Sequence, residues 1–451
     1  MSFVFLLSVF LKGIGAILEV LLQIVITRAA GLSAYGTYST WINSADLVFW
    51  CLFSGIVKCN TFYLSGKEKV INRFKNKYYR YYVIPIIVGI CAFSLLLGKH
   101  SLWIIAMIAL TELIVLDQSS TLLANGKYMH SLIGEYILGR LVLLISASVL
   151  WGRGTLTQTN LVCVYLIQYL LVIVFFMCFV KKKGKDDISD EVSLKKWKQY
   201  QKADVLQSVI TQMPVILQYV YTGSIEAGVV SIALLIKKLI NFISGPAAKI
   251  FLPEFSRLYR EGKKEEIKKS FASIMRLQMI FAGPLAVIML GYSEVVLNIL
   301  AKELLEYKNL FMLCSSIFIL AATLGPCGGL MQMSGNEKKD NRCREVAIIA
   351  MITTFVLLHK NPLFALYGLC IQTLCESSSK YIFVCKWMKQ APVKLIQYVG
   401  WWILPAISVG VTYIFQWQNS FLMMILMAGL NFSVRCWMEI KSEVLKKNRR
   451  V

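Results

Sequence analysis

Apolar residues recur along the chain in runs of roughly twenty, the length that a helix needs to cross the hydrocarbon core of a bilayer. Short polar stretches separate these runs. Because backbone groups must be satisfied internally in lipid, we interpret each run as a membrane-spanning α-helix. The fourteen predicted spans are residues 4–27, 38–59, 82–98, 102–123, 131–151, 158–180, 203–222, 226–247, 271–292, 309–332, 345–358, 363–384, 397–416 and 420–437.

The composition agrees with an all-α integral membrane protein. Of 451 residues, 57% are hydrophobic and only 16% are charged, and the mean hydropathy is +0.62. Soluble domains have about 45–50% apolar residues. The net charge of +23 would suit nucleic acid if it formed one stripe, but the basic residues lie in short loops between apolar runs. We therefore expect no nucleic-acid partner.

Lysine and arginine alternate between rich and poor loops. The loops after even-numbered predicted spans are rich in them, above all 60–81, 181–202 and 248–270, and the loops after odd-numbered spans hold few. Basic loops stay on the cytoplasmic side. An even number of spans puts both ends of the chain on the same side of the membrane, and the alternation predicts that this side is the cytoplasm. The first apolar run is too long for a cleaved signal peptide and is interpreted as a retained signal-anchor.

A short glycine-containing segment occurs twice, six spans apart. Gly31 to Gly36 follows span 1 and Gly223 to Gly228 follows span 7; the polar turns at 125–127 and 334–336 form a second pair. An even spacing gives both copies the same orientation, as in transporters built from parallel repeats. We predict two six-helix lobes related by a pseudo-two-fold axis along the membrane normal, plus two C-terminal helices. The predicted domains are 1–180, a linker 181–202, 203–385 and 386–451.

Ionisable residues inside the spans are candidates for function. A charge at the bilayer centre costs at least ~2.5–3.5 kcal/mol, so it faces a cavity or a partner. A cavity lined by cations would select an anion, and both basic side chains suit phosphate. The candidate substrate-binding cations are Lys12, Arg140, Lys237, Lys238, Arg276 and Lys380. The acids that would couple transport to an ion, or alternatively hold these cations in salt bridges, are Glu19, Asp46, Glu112, Asp117 and Asp204.

Position distinguishes these cations. Lys12 lies well inside span 1 and, with Arg140, is the strongest candidate for facing a cavity. Lys380 is four residues after Glu376, so the two would neutralise each other on one helix face. Arg276 and Lys380 lie near cytoplasmic ends, from which long side chains reach water.

Other chemistry lacks support in the sequence. His100, His130 and His359 are far apart and the twelve cysteines contain no CxxC pair, so we expect neither a metal site nor a disulfide framework, and no cofactor. A polysaccharide polymerase would carry a large outer loop, whereas the longest here is 293–308. An acyltransferase would place a histidine near an acid at a membrane face. We therefore do not expect an enzyme, and a scaffold would not need so many buried charges.

Three segments together resemble the Wzx-type flippases, the polysaccharide-transport branch of the MOP exporter superfamily. They are TRAAGLSAYGTYST (27–40), FLPEFSRLYREGKKEEIKK (251–269) and GLMQMSGNEK (329–338). The first is similar to the family's Leu-Gly-x-x-x-Tyr-Gly turn, except that Ala30 stands where the family usually has leucine. The second is similar to its Pro-x-x-Ser-x-Leu-Tyr stretch, and the order of the segments covers nearly the whole chain.

The resemblance implies two six-helix bundles in a V shape and a location in the bacterial inner membrane. It also implies a substrate, an undecaprenyl-pyrophosphate-linked oligosaccharide that moves from the cytoplasmic to the outer leaflet by alternating access, for O-antigen, capsule or exopolysaccharide synthesis. Membrane lipids, a polymerase and a chain-length regulator are the implied partners. A lipid II flippase and a drug exporter of the same superfamily stay open as alternatives, although a drug pocket would be more acidic or aromatic.

Overall fold

A computed structural model describes residues 3–54, 78–89, 100–124, 127–180, 194–241, 255, 257–259 and 261–448. All regular structure in these ranges is helical, which confirms the predicted all-α class. The predicted basic loops 60–81 and 181–202 lie mostly outside the described residues, and loop 248–270 lies partly outside them. The second half of span 82–98 and residues 125 and 126 of the second repeat pair also lie outside.

Fifteen α-helices are described, and several are joined by other helical turns. A π-helical turn at Ile133–Leu138 joins the third helix to the fourth, and another at Val287–Gly291 follows the eighth. The helices are α1 (Phe3–Leu52), α2 (His100–Ala124), α3 (Tyr128–Leu132), α4 (Gly139–Gly152), α5 (Gln158–Phe179), α6 (Leu194–Tyr221), α7 (Ser224–Ile240), α8 (Lys264–Ala286), α9 (Ser293–Leu300), α10 (Lys308–Thr323), α11 (Cys327–Met333), α12 (Glu337–Leu357), α13 (Phe364–Trp387), α14 (Leu395–Ile414) and α15 (Phe421–Asn448).

Eight helical segments of the described chain are long and apolar enough to cross a membrane. They are Phe10–Leu52, Leu102–Leu122, Met129–Gly152, Gln158–Phe179, Lys264–Gly291, Lys302–Met333, Leu395–Ile414 and Phe421–Met438. The first of these covers the predicted spans 1 and 2. Helices α6, α7, α12 and α13 coincide with predicted spans but are not among the eight, so the number fourteen stays a prediction.

The chain forms two compact units. Unit 1 comprises Met1–Ser231 with Asn361–Ala365, and unit 2 comprises Ile232–Lys360 with Leu366–Val451. In unit 1, α1 packs against α6, α2 and α4; in unit 2, α8 packs against α15, α10 and α14. The domain boundaries predicted from the sequence stay predictions.

Each unit has an apolar core between its helices. In unit 1, Phe49 and Leu113 pack together without solvent exposure. In unit 2, α8 contributes one buried row, Ile267, Phe271 and Met275. The spacing of four residues keeps these side chains on one face of the helix, where burial of apolar surface stabilises the fold.

Both repeat segments begin with a glycine that has a positive φ angle. Gly31 has φ 83° and breaks α1 into two helical halves, and Gly223 has φ 114° between α6 and α7. Glycine reaches such positive φ values without steric cost. The predicted tight turn between the first two spans is therefore confirmed, and its repeat partner forms the equivalent turn.

The repeat segments also pack against each other within unit 1. The hydroxyls of Ser33 and Ser224 lie 2.6 Å apart, and Ser39 donates to Ser231 at 2.7 Å. A Cβ atom on Gly36 would lie 1.7 Å from the carbonyl oxygen of Ser224. Small residues allow this close approach of two helix backbones, as in other membrane proteins.

We predict that Gly36→Ala destabilises the protein although alanine favours helix. The added methyl group would collide with a backbone carbonyl, and overpacking of this kind costs about 1–3 kcal/mol. Thermal unfolding in detergent should show a lowered melting temperature. The matched control is Gly152→Ala in α4, because nothing lies within 4 Å of the Cβ position there. An equal response of both variants would contradict the close contact.

Candidate functional site

Two of the predicted cations share one aromatic ring in unit 1. The Lys12 ammonium lies 5.3 Å from the centroid of the Tyr136 ring, and the Arg140 guanidinium lies 5.5 Å from the same centroid. Both distances are within cation–π range. Lys12 is on α1, whereas Tyr136 and Arg140 are on the π-helical turn and α4. The structure thus brings together the two strongest cationic candidates from distant parts of the sequence.

Arg140 is anchored but keeps unused hydrogen-bond donors. Its Nη2 lies 3.0 Å from Glu19 Oε2, and its Nη1 donates to the backbone oxygen of Tyr136 at 3.3 Å. A guanidinium has five N–H donors, and the described contacts engage two of its nitrogens. The Arg140 side chain is 26% exposed. It can therefore accept a further anionic group while Glu19 holds it in place.

Local backbone features set this geometry. A Cβ atom on Gly15 would lie 2.8 Å from the Tyr136 carbonyl oxygen and 3.1 Å from Arg140 Nη1. Glycine at this position allows the turn to approach α1 closely. The turn is π-helical, and such wide turns are frequent at functional sites because they reorient side chains within a helix.

Two of the predicted acids form a pair in the same unit. The Glu112 carboxyl on α2 is within hydrogen-bonding reach of the Asp46 carboxyl on α1, and Gln212 on α6 donates to Asp46 Oδ2 at 3.2 Å. Two carboxyls can hydrogen bond to each other only when one carries a proton. The pair is therefore a candidate site for holding one proton inside the helices.

The remaining candidate acids lie apart from this pair. Asp117 is within hydrogen-bonding reach of the Tyr79 hydroxyl, and Asp204 is buried on α6. Glu19 holds Arg140, as described above. Of the five predicted coupling acids, Asp46 and Glu112 are the two that the structure places near each other in the interactions described above.

Lys237 is held by α13 in unit 2. Its ammonium donates to Thr373 Oγ1 at 2.8 Å and to Gln372 Oε1 at 3.3 Å, and it lies 5.5 Å from the centroid of the Phe318 ring. The neighbouring Lys238 is exposed. Consecutive helical residues point in different directions, so only one of the two lysines faces the helix packing.

Lys380 belongs to a buried ion-pair network in unit 2. Its ammonium lies 2.6 Å from Glu376 Oε1 and 2.8 Å from Asp340 Oδ1, and Arg344 Nη2 lies 3.3 Å from Asp340 Oδ2. Gln332 also donates to Asp340 at 2.9 Å. The expected pairing of Glu376 with Lys380 is present. Two carboxylates neutralise Lys380, which favours a structural role for it.

The sequence interpretation missed three residues of unit 2. Asp340 and Arg344 lie between the predicted spans 309–332 and 345–358, but Asp340 is 1% exposed and both residues join the Lys380 network. Their spacing of four residues was the available signal. Arg435 was also missed; it is buried on α15 and lines a small cavity together with Arg276 of α8.

Metal-ligating side chains do not cluster in the part of the chain that the structure describes, where no three or more His, Cys, Asp and Glu residues could hold an ion.

Comparisons with known proteins identify the fold. No family model matches the sequence, and no curated protein matches it significantly. Among solved structures, "Lipid II flippase MurJ, inward closed conformation" superposes with a TM-score of 0.65 and 13% identity, covering 98% of this chain and 100% of the other. An inward-facing multidrug resistance MATE family transporter of the MOP superfamily gives 0.62 and 12% identity, covering 83% and 94%. A MATE crystal structure in the straight conformation gives 0.53 and 13%, covering 86% and 95%.

The chain therefore has the helical fold that MurJ and MATE transporters share. Together with the eight apolar helical segments in the described part of the chain, this fold defines a multi-pass membrane protein.

We predict that Asp340→Asn destabilises the protein, because it removes the more buried of the two carboxylates that compensate Lys380 and Arg344 and leaves Glu376 alone with both cations. Removing one partner of a buried ion pair costs about 3–5 kcal/mol. The matched control is Glu261→Gln, whose partners Arg257 and Lys263 are more than half exposed. A surface pair contributes about 0–1 kcal/mol. Thermal unfolding in detergent measures both variants, and similar melting temperatures would count against the network.

Proposed function

We propose that this protein is a flippase that moves undecaprenyl-pyrophosphate-linked oligosaccharides from the cytoplasmic to the outer leaflet of the bacterial inner membrane. The observation that supports this proposal is the convergence of Lys12 and Arg140 on one tyrosine ring inside apolar helices. Both ends of the chain are proposed to lie in the cytoplasm. The proposal assigns no catalytic step to the protein.

The chemistry of the substrate matches these two cations. A pyrophosphate linkage is anionic and cannot enter hydrocarbon without compensation, and oligosaccharides need polar surroundings for the same reason. Arginine binds phosphate oxygens through its planar fork of donors, and lysine supplies a mobile point charge. We propose that Arg140, fixed by Glu19, orients the pyrophosphate and that Lys12 adds charge beside it.

The carboxyl pair suggests how movement would be driven. We propose that Asp46 and Glu112 share a proton, and that proton release or uptake by the pair biases the conformational cycle. Ionisable groups inside membrane helices form proton relays in pumps and transporters. Asp46 lies on the half of α1 that follows Gly31, and Lys12 and Glu19 lie on the half that precedes it. We propose that a change at the carboxyl pair reaches the cationic site through the turn at Gly31.

Lipid II is the alternative substrate. One specific observation favours it, the superposition with a structure named as a lipid II flippase over nearly the full length of both chains. A drug exporter is the weaker alternative because a paired lysine and arginine disfavour cationic drugs. The predicted partners, a polymerase and a chain-length regulator, belong to the oligosaccharide proposal.

We expect that Lys12→Gln and Arg140→Gln each reduce export at least tenfold without reducing the amount of protein in the membrane. Each change removes a charge-assisted contact to the pyrophosphate, and such contacts contribute about 1.5–3 kcal/mol. The measurement is surface polysaccharide in a deletion strain that carries each variant. Arg153→Gln, at the exposed end of α4, is the matched control.

The same strains separate the substrates. The deletion strain should accumulate lipid-linked repeat units on the cytoplasmic leaflet while its polymerase stays functional. If the deletion strain stops peptidoglycan synthesis and does not accumulate these units, the substrate of the protein is lipid II. Normal export by both cation variants would remove the site in unit 1 from the substrate path.

We also expect Glu112→Gln to remove the response of transport to a proton gradient. The amide cannot release or take up the proton that the wild-type pair would share. In proteoliposomes, an imposed pH gradient should change the flipping rate of a fluorescent lipid-linked sugar by the wild-type protein but not by the variant. Glu303→Gln, an exposed site, is the control and should respond as wild type does. A variant that keeps the full response would contradict proton coupling by this pair.

A further inference from the structure

Two arginines line one small cavity in unit 2, within the packing of three helices. The cavity is formed by Arg276, Met279 and Ile280 of α8, Trp401 of α14, and Arg435 and Met438 of α15. Helix α8 packs directly against both α14 and α15. Both arginines lie on segments that are long and apolar enough to span a membrane.

The positions of the lining residues place this cavity close to one membrane surface. Arg435 is three residues before the end of the apolar segment Phe421–Met438, which is about 5 Å along a helix. Trp401 is six residues, or about 9 Å, after the start of α14 at Leu395. Tryptophan is enriched at the level of the lipid headgroups. The cavity therefore lies where phosphate groups of lipids are within reach of its side chains.

The arginine side chains that line the cavity favour an anion as its ligand. Arg435 is 7% exposed, and the Nε atom of Arg276 is buried and makes no hydrogen bond to the residues that the structure describes. An anion in the cavity would accept a hydrogen bond from this Nε–H group, whose isolation from water is unfavourable. The Arg435 guanidinium lines the same cavity and would add positive charge beside such an anion.

We propose that Arg276 and Arg435 bind a phosphate group at the membrane surface, as carried by an anionic phospholipid headgroup; under the proposed orientation of the chain, this surface is the cytoplasmic one. The guanidinium fork matches phosphate oxygens bidentately. The surrounding methionine, isoleucine and tryptophan side chains suit the glycerol and acyl parts of a lipid. All residues of this site belong to unit 2, and the proposal does not depend on which substrate the protein transports.

Lipid binding to the intact protein tests this proposal. Wild type, Arg276→Gln, Arg435→Gln and the control Arg257→Gln are reconstituted in phosphatidylcholine nanodiscs with increasing phosphatidylglycerol. Arg257 is 63% exposed and outside the cavity. Phosphatidylglycerol should raise the melting temperature of wild type and of the control. Each cavity variant should need about tenfold more phosphatidylglycerol for the same shift, since it loses a charge-assisted contact.

A second arm uses inorganic phosphate with phosphatidylcholine alone. A shift with phosphatidylglycerol but not with inorganic phosphate identifies the lipid headgroup as the source, whereas the reverse identifies a soluble phosphate and overturns the assignment to lipid. Arg276→Lys keeps the charge but lacks the fork, so it should fall between wild type and the glutamine variant. The proposal is also overturned if both cavity variants respond as the control does, or if wild type responds to neither probe. If Arg435→Gln does not fold, Arg276→Gln decides the result alone.

Discussion

A lysine or arginine in a membrane-spanning helix must find either water or a fixed partner, because hydrocarbon solvates neither the charge nor its hydrogen bonds. The two units of this protein satisfy that constraint differently. In unit 2, Lys380 lies between two carboxylates and is almost fully buried. In unit 1, Arg140 has one carboxylate partner and keeps a quarter of its side chain exposed. The first arrangement stabilises helix packing, whereas the second leaves a cation available for a ligand.

The position of these charges depends on glycine. Gly15 allows the backbone at Tyr136 to approach α1, so that the ring lies beside both Lys12 and Arg140. Gly328 has a similar part in unit 2, where an added Cβ atom would lie 3.2 Å from Asp340 and 3.3 Å from Lys380. A larger residue at either position would have to displace the groups that hold the charges. The positions of the charged groups therefore depend on the close backbone packing that these two glycines allow.

Under the proposed mechanism, the acids that pair with cations and the acids that pair with each other have different roles. Glu19 forms an ion pair with Arg140. Glu376 and Asp340 form ion pairs with Lys380 and Arg344. Asp46 and Glu112 instead lie near each other, and the neutral Gln212 side chain donates a hydrogen bond to Asp46. A neighbouring cation favours the charged form of a carboxyl, whereas two neighbouring carboxyls disfavour simultaneous ionisation. Among the predicted acids, this pair is the one whose arrangement suits proton exchange.

The sequence by itself determined the all-helical class, the membrane location of the helices and the repeat with its two glycine turns. These features follow from local rules: hydrophobic length, backbone satisfaction in lipid and the freedom of glycine at positive φ. It also selected Lys12 and Arg140 as candidates. Only the tertiary structure decided that these two share Tyr136, that Asp46 meets Glu112, and that Arg276 lies beside Arg435. Such pairings join residues far apart in the chain, and helical periodicity predicts which face a residue occupies but not which helix packs against that face.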